Sequence, residues 1–422
     1  MMNRIAAVCR LWRDLSIDYA PFWTSISYSD RIRGGLSTSR HTTFSDRMRT
    51  YLVRSKHLLI AVRIRICSIA AAQGVWNLVY PHLERCKSLS IEDRGVVSCM
   101  LFPLPGRLTH LKNVAIALDG VCINACLFST DAKCELEKVE ITFHSTFPRT
   151  RPHVLPIEAL LGRNIRLDSI KYFDLGDTFS PTTSLSFLQS TKNLEVLKLH
   201  TSGPLDDSLS ADLRHLKELY LRTSIHLSAI PHIFLAPSLH HLQLYVSQLP
   251  PQDILLPQDL STFPALRSLD LDLPFSFPVP ETIQFLLLHP HLEKVILPLH
   301  QTGAVEFLLE TNGSPEFGGN VGPLRHLGLL MDMDVFPQVE SLSESLESSL
   351  GRLLSHPTTA QGCVIKFTSN CQHMLPRKPG SVSRLQAAYP HRVQWLNEDN
   401  WGILSRRVEA PRKKPTRRRR LT

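Results

Sequence analysis

Cysteine and histidine are the residue types of this chain best suited to metal binding or nucleophilic catalysis, with nine cysteines and 19 histidines among 422 residues. Cys122, Cys126 and Cys134 lie close together, but a structural zinc site requires a tighter pattern of four ligands. The sequence also lacks a phosphate-binding glycine loop, a Gly-x-Ser-x-Gly elbow and a His-Glu-x-x-His motif. We therefore predict no catalytic, cofactor-binding or metal-binding residues, and a protein that is not an enzyme.

The strongest charge feature is a basic segment at the C-terminal end, residues 405–422, which accounts for nearly all of the formal net charge of +9. A segment this charged cannot bury itself and is expected to be disordered. We predict that it is a nuclear import signal; a phosphate-binding arm and a plain solvated tail are the alternatives. The predicted signal comprises Arg412, Lys413, Lys414, Arg417, Arg418, Arg419 and Arg420.

Composition limits the compartment and the class of partner. Hydrophobic residues make up 43% and charged residues 20% of the chain, which is typical of a globular protein. Sparse, odd-numbered cysteines favour a reducing compartment, and the sequence shows no signal peptide or membrane span. The body outside the tail is almost neutral, which makes a nucleic acid partner unlikely. We expect a soluble protein of the nucleus, the cytoplasm or both, with no membrane partner.

A repeated phrase, apolar-x-x-apolar-x-apolar, dominates the middle of the chain. Seven of the nine intervals between successive copies are 22–27 residues, within the range of about 20–29 residues for leucine-rich repeats. The copies end at Ile91, Ile116, Ile141, Leu175, Leu199, Leu221, Leu244, Leu271, Leu297 and Leu329.

The spacing of the phrase predicts an α/β fold in the form of a leucine-rich-repeat solenoid. Its last two apolar residues are two apart, so they face the same side of a strand, while the residue between them faces the other side. One such strand cannot bury its leucines alone, whereas parallel strands stacked side by side share a continuous core. A non-solenoid α/β domain with leucine-rich strands is the alternative.

The outward-facing side chains of the middle repeats are the predicted site for a protein client. Equivalent positions of neighbouring strands line up in rows about 4.8 Å apart, which places basic and aromatic residues beside acidic ones. Tyrosine and arginine are enriched at binding hot spots. The predicted client-binding residues are Lys198, His200, Tyr220, Arg222, Gln243, Tyr245, Asp270 and Asp272; a ribbon without any ligand is the alternative.

The N-terminal segment has the spacing of a small helical hairpin. Ile5, Val8, Trp12 and Leu15 recur three and four residues apart, which predicts one apolar helical face. Beyond Pro21, a second apolar cluster follows at Phe22, Trp23 and Ile26. Such a hairpin needs a neighbour to cover it, and one interpretation is an N-terminal cap for the repeats.

The same segment resembles the second half of an F-box in the form found in fungal F-box families. The matching positions are Val8, Cys9, Arg10, Trp12, Arg13, Pro21, Trp23 and Ile26. The first half of the motif is expected to be missing, because the chain starts close to the matching segment. The resemblance implies contacts with a Skp-type adaptor, itself bound to a cullin scaffold. It assigns them to Val8, Arg10, Trp12, Arg13, Pro21 and Trp23.

The predicted organisation has four parts. Residues 1–55 form the partial F-box-like helical segment and residues 56–335 form the repeats. Residues 336–404 form a C-terminal cap with a helix and a strand, and residues 405–422 form the tail. The resemblance implies a substrate-recognition subunit of a Skp–cullin–F-box ubiquitin ligase, which would bind a protein client of unknown identity. A protein-binding repeat scaffold outside any ligase is the first alternative, and a nuclear protein that binds nucleic acid through its tail is the weaker second.

Overall fold

A computed structural model describes the protein between residues 14 and 396, with gaps. The described residues are 14, 17–29, 38–66, 69–93, 104, 108–119, 127–129, 133–144, 161, 165–176, 187–200, 210–223, 227–246, 263–274, 276–298, 300–313, 324–331, 348, 350–351, 354, 364–369 and 380–396. The chain divides into two compact units, Met1–Ala265 and Leu266–Thr422.

The first unit is built on parallel strands that pair in the order in which they occur along the chain. This order is typical of a repeat solenoid, in which each repeat contacts its neighbours. The strands are β1 (Ser25–Ser29), β2 (Ile60–Ile66), β3 (Cys86–Asp93), β4 (Asn113–Asp119), β5 (Lys138–His144), β6 (Tyr172–Leu175), β7 (Val196–His200), β9 (Glu218–Thr223) and β11 (His241–Val246). Two short strands, β8 (Ala211–Asp212) and β10 (Phe234–Leu235), form a separate parallel pair.

Side-chain alternation along each strand builds the core. In β9 and β11, half-buried and buried residues alternate without exception, because successive residues of a strand point to opposite faces. The buried set includes Leu219, Leu221, Leu242 and Leu244, each at most 3% exposed. A fully buried leucine side chain contributes about 2 kcal/mol of hydrophobic free energy. The predicted α/β fold with parallel, sequentially paired strands is confirmed.

Helical segments return the chain of the first unit from one strand to the next. The longest are α1 (Thr38–Arg54) and α2 (Ile69–Val79), which follow β1 and β2. In the described part of the later returns, the elements with full bounds are 3-10 turns and the four-residue helix α3 (Ile230–Ile233). In α1, Met48 and Leu52 lie one turn apart and are both buried, so this helix covers the core with one apolar face.

The second unit has the same type of organisation. Its strands also run parallel and pair in chain order. They are β12 (Ser268–Asp272), β13 (Lys294–Pro298), β14 (His326–Met331), β15 (Val364–Ser369) and β16 (Val393–Leu396). The helices whose bounds lie within the described residues are α4 (Val279–Leu288), α5 (Thr302–Gly313) and α6 (Gly380–Ala388). No helix in the described ranges of either unit is long and apolar enough to span a membrane.

The described strands reach beyond the predicted repeats at both ends. The sequence predicts a helical cluster around Trp23 and Ile26, whereas the structure has a 3-10 turn, Ala20–Trp23, followed by β1. Ile26 and Tyr28 of β1 are buried and alternate with serines, which is the pattern of an outer strand of the sheet. In the segment predicted as a C-terminal cap, β15 and β16 pair as further parallel strands. Most of the helix predicted within that segment lies outside the described residues.

Candidate protein-binding face

The outward-facing side chains of β5, β6, β7, β9 and β11 form one continuous polar surface, called here the ribbon face. The alternation that buries the leucines leaves these side chains half-buried on the opposite side of the sheet. The ribbon face comprises Lys138, Glu140, Tyr172, Asp174, Lys198, His200, Glu218, Tyr220, Arg222, His241, Gln243 and Tyr245.

Strand register brings six of the eight predicted client-binding residues together. Lys198 lies opposite Tyr220, and His200 lies opposite Arg222, across the pairing of β7 with β9. Tyr220 in turn lies opposite Gln243, and Arg222 opposite Tyr245, across the pairing of β9 with β11. These six residues therefore form two adjacent rows of three, as the repeat spacing predicts.

Cation–π contacts connect two lysines and two tyrosines across the four strands from β5 to β9. The Lys198 ammonium lies between two tyrosines, 4.8 Å from the ring centroid of Tyr220 and 5.5 Å from that of Tyr172. Lys138 lies over Tyr172 as well, 4.4 Å from the centroid. The attraction of an ammonium group to a ring face is about 0.5–1 kcal/mol at exposed sites and larger where water is displaced. The long lysine side chains are thus ordered before any partner arrives.

Arginine and tyrosine make the corresponding contact in the other row. The guanidinium carbon of Arg222 lies 4.8 Å from the ring centroid of Tyr245. A planar guanidinium stacked on a ring keeps its N–H groups available at its edge. Arg222 is therefore held in place by a cation–π contact that leaves its hydrogen-bond donors available.

Asp174 and Tyr172 form a half-buried acidic pair beside Lys198. The Tyr172 hydroxyl donates a hydrogen bond to Asp174 Oδ2 at 3.4 Å. Burial raises the pKa of the Asp174 carboxyl, while the positive charges of His200 and Lys198 act in the opposite direction. Burial, followed by the charges of Asp174 and Glu140, raises the pKa of Tyr172 above its usual range. Tyr172 therefore stays protonated and remains a donor at neutral pH.

Glu218 and His241 both contact Tyr220 and restrain its ring beside Lys198. The Tyr220 hydroxyl donates to Glu218 Oε2 at 2.8 Å, and the His241 ring packs edge-on against Tyr220 at a centroid distance of 5.3 Å. Cross-strand aromatic pairs of this kind contribute up to about 1 kcal/mol. The three tyrosines on neighbouring strands are consequently all restrained by their own chain.

The other two predicted client-binding residues, Asp270 and Asp272, lie on β12 in the second unit, where Asp272 is half-buried. Asp270 is only 2% exposed, although its position between two leucines predicts an outward-facing side chain. Burial raises its pKa to about 7, against the opposing effect of Lys294. Its cross-strand partner Ile296 is also buried, so the sheet is covered on both faces here, and Asp270 is not a surface residue.

Six ribbon-face residues are not among the predicted client-binding residues: Lys138, Glu140, Tyr172, Asp174, Glu218 and His241. Glu140 and Asp174 occupy the same position in the phrase as Lys198, which was the available signal. Tyr172 stands two residues earlier in its strand and lies opposite Lys138, in register with it. Its role depends on a lysine ammonium 26 residues away on another strand, Lys198, and a repeat phrase does not specify such a contact.

The predicted adaptor-binding residues divide between described and undescribed parts of the chain. Val8, Arg10, Trp12 and Arg13 lie outside the described residues. Pro21 is exposed, whereas Trp23 is only 8% exposed. The Trp23 ring packs edge-on against Tyr51 at 4.8 Å and lies under the Arg54 guanidinium at 4.6 Å. Trp23 thus joins the 3-10 turn to α1 within the same chain.

The three closely spaced cysteines and the basic tail lie mostly outside the described residues. Cys122, Cys126 and the whole tail, including its predicted import residues, lie outside the described residues. Cys134 is buried, and this burial raises the pKa of its thiol to about 12. Within the described ranges, no cluster of three metal-ligating side chains occurs.

Comparison with known proteins adds no relative to this description. No protein-family model matches the chain, and no curated protein matches it significantly. Function is therefore inferred from the parallel repeat fold and from the chemistry of the ribbon face.

Proposed function

We propose that this chain captures a protein client on its ribbon face and itself catalyses no reaction. The observation that supports this proposal is the group of half-buried aromatic rings on β6, β9 and β11, which contact lysine and arginine side chains. Tyrosine and arginine carry a large share of binding energy at protein interfaces. Restraining them in the free protein lowers the entropy lost on binding.

Within this role, the resemblance to an F-box favours a substrate-recognition subunit of a Skp–cullin–F-box ubiquitin ligase. In such an assembly the adaptor and the cullin scaffold would bring a client near a ubiquitin-conjugating enzyme. The gain would be in effective concentration and orientation and not in chemistry. The resemblance at residues 8–26 carries this step, since the ribbon face alone does not distinguish a ligase subunit from another binding module.

A protein-binding scaffold outside any ligase is the second candidate. The burial of Trp23 against Tyr51 and Arg54 favours it, because a side chain that packs within its own chain is not available to an adaptor. On this alternative the N-terminal segment is a cap for the repeats.

Site-specific photo-crosslinking tests client capture. A photoreactive amino acid placed at Gln243, on the ribbon face, should cross-link a discrete client in cells. The same group at Tyr80, an exposed tyrosine outside the ribbon face, serves as the matched control. The combined substitution Tyr220→Ala and Arg222→Ala should remove the cross-link from position 243. An identical pattern from both positions would contradict capture at the ribbon face.

Co-purification distinguishes the ligase subunit from the scaffold. A chain that acts in a ligase should co-purify with the Skp-type adaptor and should promote ubiquitin transfer to the cross-linked client. Client capture without adaptor binding would favour the scaffold. Adaptor binding without client capture would contradict the role of the ribbon face.

The localisation proposed for this role is the nucleus, the cytoplasm or both, with the basic tail acting as an import signal. Clustered lysines and arginines are the chemistry that such signals share. Residues 405–422 fused to a cytoplasmic reporter should move the reporter into the nucleus. A reporter that stays in the cytoplasm, like a control fusion with the basic residues changed to glutamine, would contradict the import signal.

A further inference from the structure

Charges on the ribbon face are matched within the chain, with one exception. Lys138 Nζ lies 2.7 Å from Glu140 Oε1, and Asp174 lies directly opposite Lys198 in register. The third carboxylate, Glu218, accepts a hydrogen bond from the hydroxyl of Tyr220. Among the residues that the structure describes, the Arg222 guanidinium has a ring contact with Tyr245 but no carboxylate partner. The ribbon face therefore presents one cation to which no described residue supplies a counter-charge.

The surroundings of Arg222 strengthen the positive field at that point. His200 lies opposite Arg222 in register on β7, and Lys198 is the diagonal neighbour on the same strand. All three side chains are half-buried on the same face. A half-buried cation interacts with an incoming anion more strongly than a fully solvated one, because less water screens the pair. Stacking on Tyr245 also fixes the plane of the guanidinium, which favours bidentate recognition of a carboxylate.

We infer that the ribbon face selects an acidic segment of the client, with an aspartate or glutamate carboxylate in the fork of Arg222. This inference rests on the proposed function, since it specifies what kind of client the face accepts. The carboxylate would accept hydrogen bonds from two N–H groups of Arg222. Lys198 and His200 would add electrostatic attraction from the neighbouring strand. The aromatic rings of Tyr220 and Tyr245 would flank the apolar part of the same segment.

Arg63 provides a matched control for this inference. It is an exposed arginine on the outward side of β2 in the same unit, opposite Ser90 of β3. Within the described residues, it has no stacking contact of the kind that holds Arg222. Removing either arginine changes the net charge equally, so only a site-specific role separates the two variants.

A peptide array tests the inference with the purified full-length chain. The array carries random nine-residue peptides, with phosphoserine included as a separate building block. We expect the wild-type chain to enrich peptides with aspartate or glutamate. Arg222→Ala should lose this enrichment and should bind the selected acidic peptide at least tenfold more weakly, whereas Arg63→Ala should stay within twofold of wild type. Arg222→Lys, which keeps the charge but not the fork, should retain part of the affinity.

Each other outcome of the array would overturn the inference. Acidic enrichment that survives Arg222→Ala, enrichment of basic or apolar peptides, and enrichment of phosphoserine alone all contradict a carboxylate held by Arg222. These outcomes leave client capture intact, because peptides are still bound. If the wild-type chain binds no peptide, and position 243 gives no cross-link in cells, the proposed function fails together with this inference.

Discussion

Lys217 and Glu195 are joined both through their side chains and through their backbones. Lys217 Nζ lies 2.7 Å from Glu195 Oε2, and the backbone N–H of Lys217 donates to the carbonyl of Glu195 at 2.8 Å. Both residues follow the first leucine of their repeat phrase, just before the strand. The backbone bond fixes the register of adjacent repeats, and the ion pair adds opposite charges at the same position.

The same relationship recurs at other repeats of the chain. In the first unit, Lys112 Nζ lies 3.5 Å from Glu137 Oε1. In the second unit, Glu293 lies between Arg267 and Arg325, at 3.8 and 3.6 Å. Backbone hydrogen bonds connect each of these pairs as well. At these repeats, opposite charges therefore meet at the same position of neighbouring phrases.

Glu195→Lys should lower the free energy of unfolding by about 1 kcal/mol at low salt, because it places a second cation beside Lys217. The effect should shrink in 1 M salt, where exposed charges are screened within about 3 Å. Urea denaturation at the two salt concentrations measures both values. Glu84→Lys reverses an exposed carboxylate outside these cross-repeat ion pairs and serves as the control. An equal, salt-independent loss in both variants would contradict a stabilising role of the Glu195–Lys217 ion pair.

Arg85 terminates α1 through contacts that no local sequence pattern predicts. Its guanidinium donates to the carbonyls of Leu52, Lys56 and Leu58 and to the Ser55 hydroxyl, at 2.5–3.2 Å. Carbonyls at a helix C-terminus have no partner within the helix. Lys56 also has the left-handed backbone conformation, with φ at 51°, which is common just past a helix end.

Arg85→Ala should lower the free energy of unfolding by about 2–4 kcal/mol, because it removes four hydrogen bonds, three of which are part-buried. Arg85→Lys should recover part of that loss, since an ammonium cannot reach all four acceptors. Thermal and urea denaturation give the values. Arg49→Ala removes an arginine from an exposed pair on the same helix and should change stability by less than about 1 kcal/mol. Similar losses in both variants would contradict the role of Arg85.

Asp270 should make stability fall as the pH rises. Its folded-state pKa of about 7 exceeds the ordinary value near 4, so the folded chain binds a proton more tightly than the unfolded chain. The associated stability is fully present below the unfolded-state pKa. It is lost progressively as the pH rises through the folded-state pKa.

Asp270→Asn removes this titration while keeping the size of the side chain. Relative to wild type, its free energy of unfolding should rise by about 3 kcal/mol between pH 5 and pH 8. Chemical denaturation at both pH values measures the difference, with Asp18→Asn as an exposed control. A difference that stays constant between the two pH values would show that Asp270 is ionised in the folded protein at pH 5.

Trp23 and Phe22 separate a structural role of the N-terminal segment from an adaptor-binding role. Trp23 is buried by α1, while the neighbouring Phe22 is 42% exposed. Trp23→Ala should therefore lower the free energy of unfolding by about 3 kcal/mol, and Phe22→Ala should leave it within about 0.5 kcal/mol. If Trp23→Ala leaves stability unchanged but abolishes adaptor co-purification, Trp23 contacts the adaptor instead of capping the sheet.

Repeat spacing predicts the inward half of the strands well and the outward half poorly. Leu219 and Leu221 are assigned correctly because a period of two decides their face. Asp270 is misassigned because the pattern does not show that its sheet is covered on both sides. Strand β1 is missed because only Ile26 and Tyr28 alternate with serines, which is too short a pattern. The contacts of Lys198 and Arg85 join strands or helices distant in sequence, and they follow only from the folded register.

Lys198 is the residue that connects the rings of Tyr172 and Tyr220. It lies between the rings of Tyr172 and Tyr220 and opposite Asp174. Lys198→Met keeps the length of the side chain but removes the charge, so both ring contacts and the cross-strand charge pair are lost together. We expect the free energy of unfolding to fall by about 1–2 kcal/mol. We also expect the pKa of Asp174 to rise further, because a positive charge that opposes its rise is gone.

Lys198→Arg serves as the matched variant, since a guanidinium keeps the charge and stacks on aromatic rings. It should retain most of the stability. Denaturation measures the stability of both variants, and carboxyl titration by NMR measures Asp174. The cross-link from position 243 should weaken in Lys198→Met and persist in Lys198→Arg, because the cation adds to the restraint that Glu218 and His241 place on Tyr220. Equal behaviour of the two variants would mean that packing of the aliphatic stem, and not the charge of the side chain, orders the rings of Tyr172 and Tyr220.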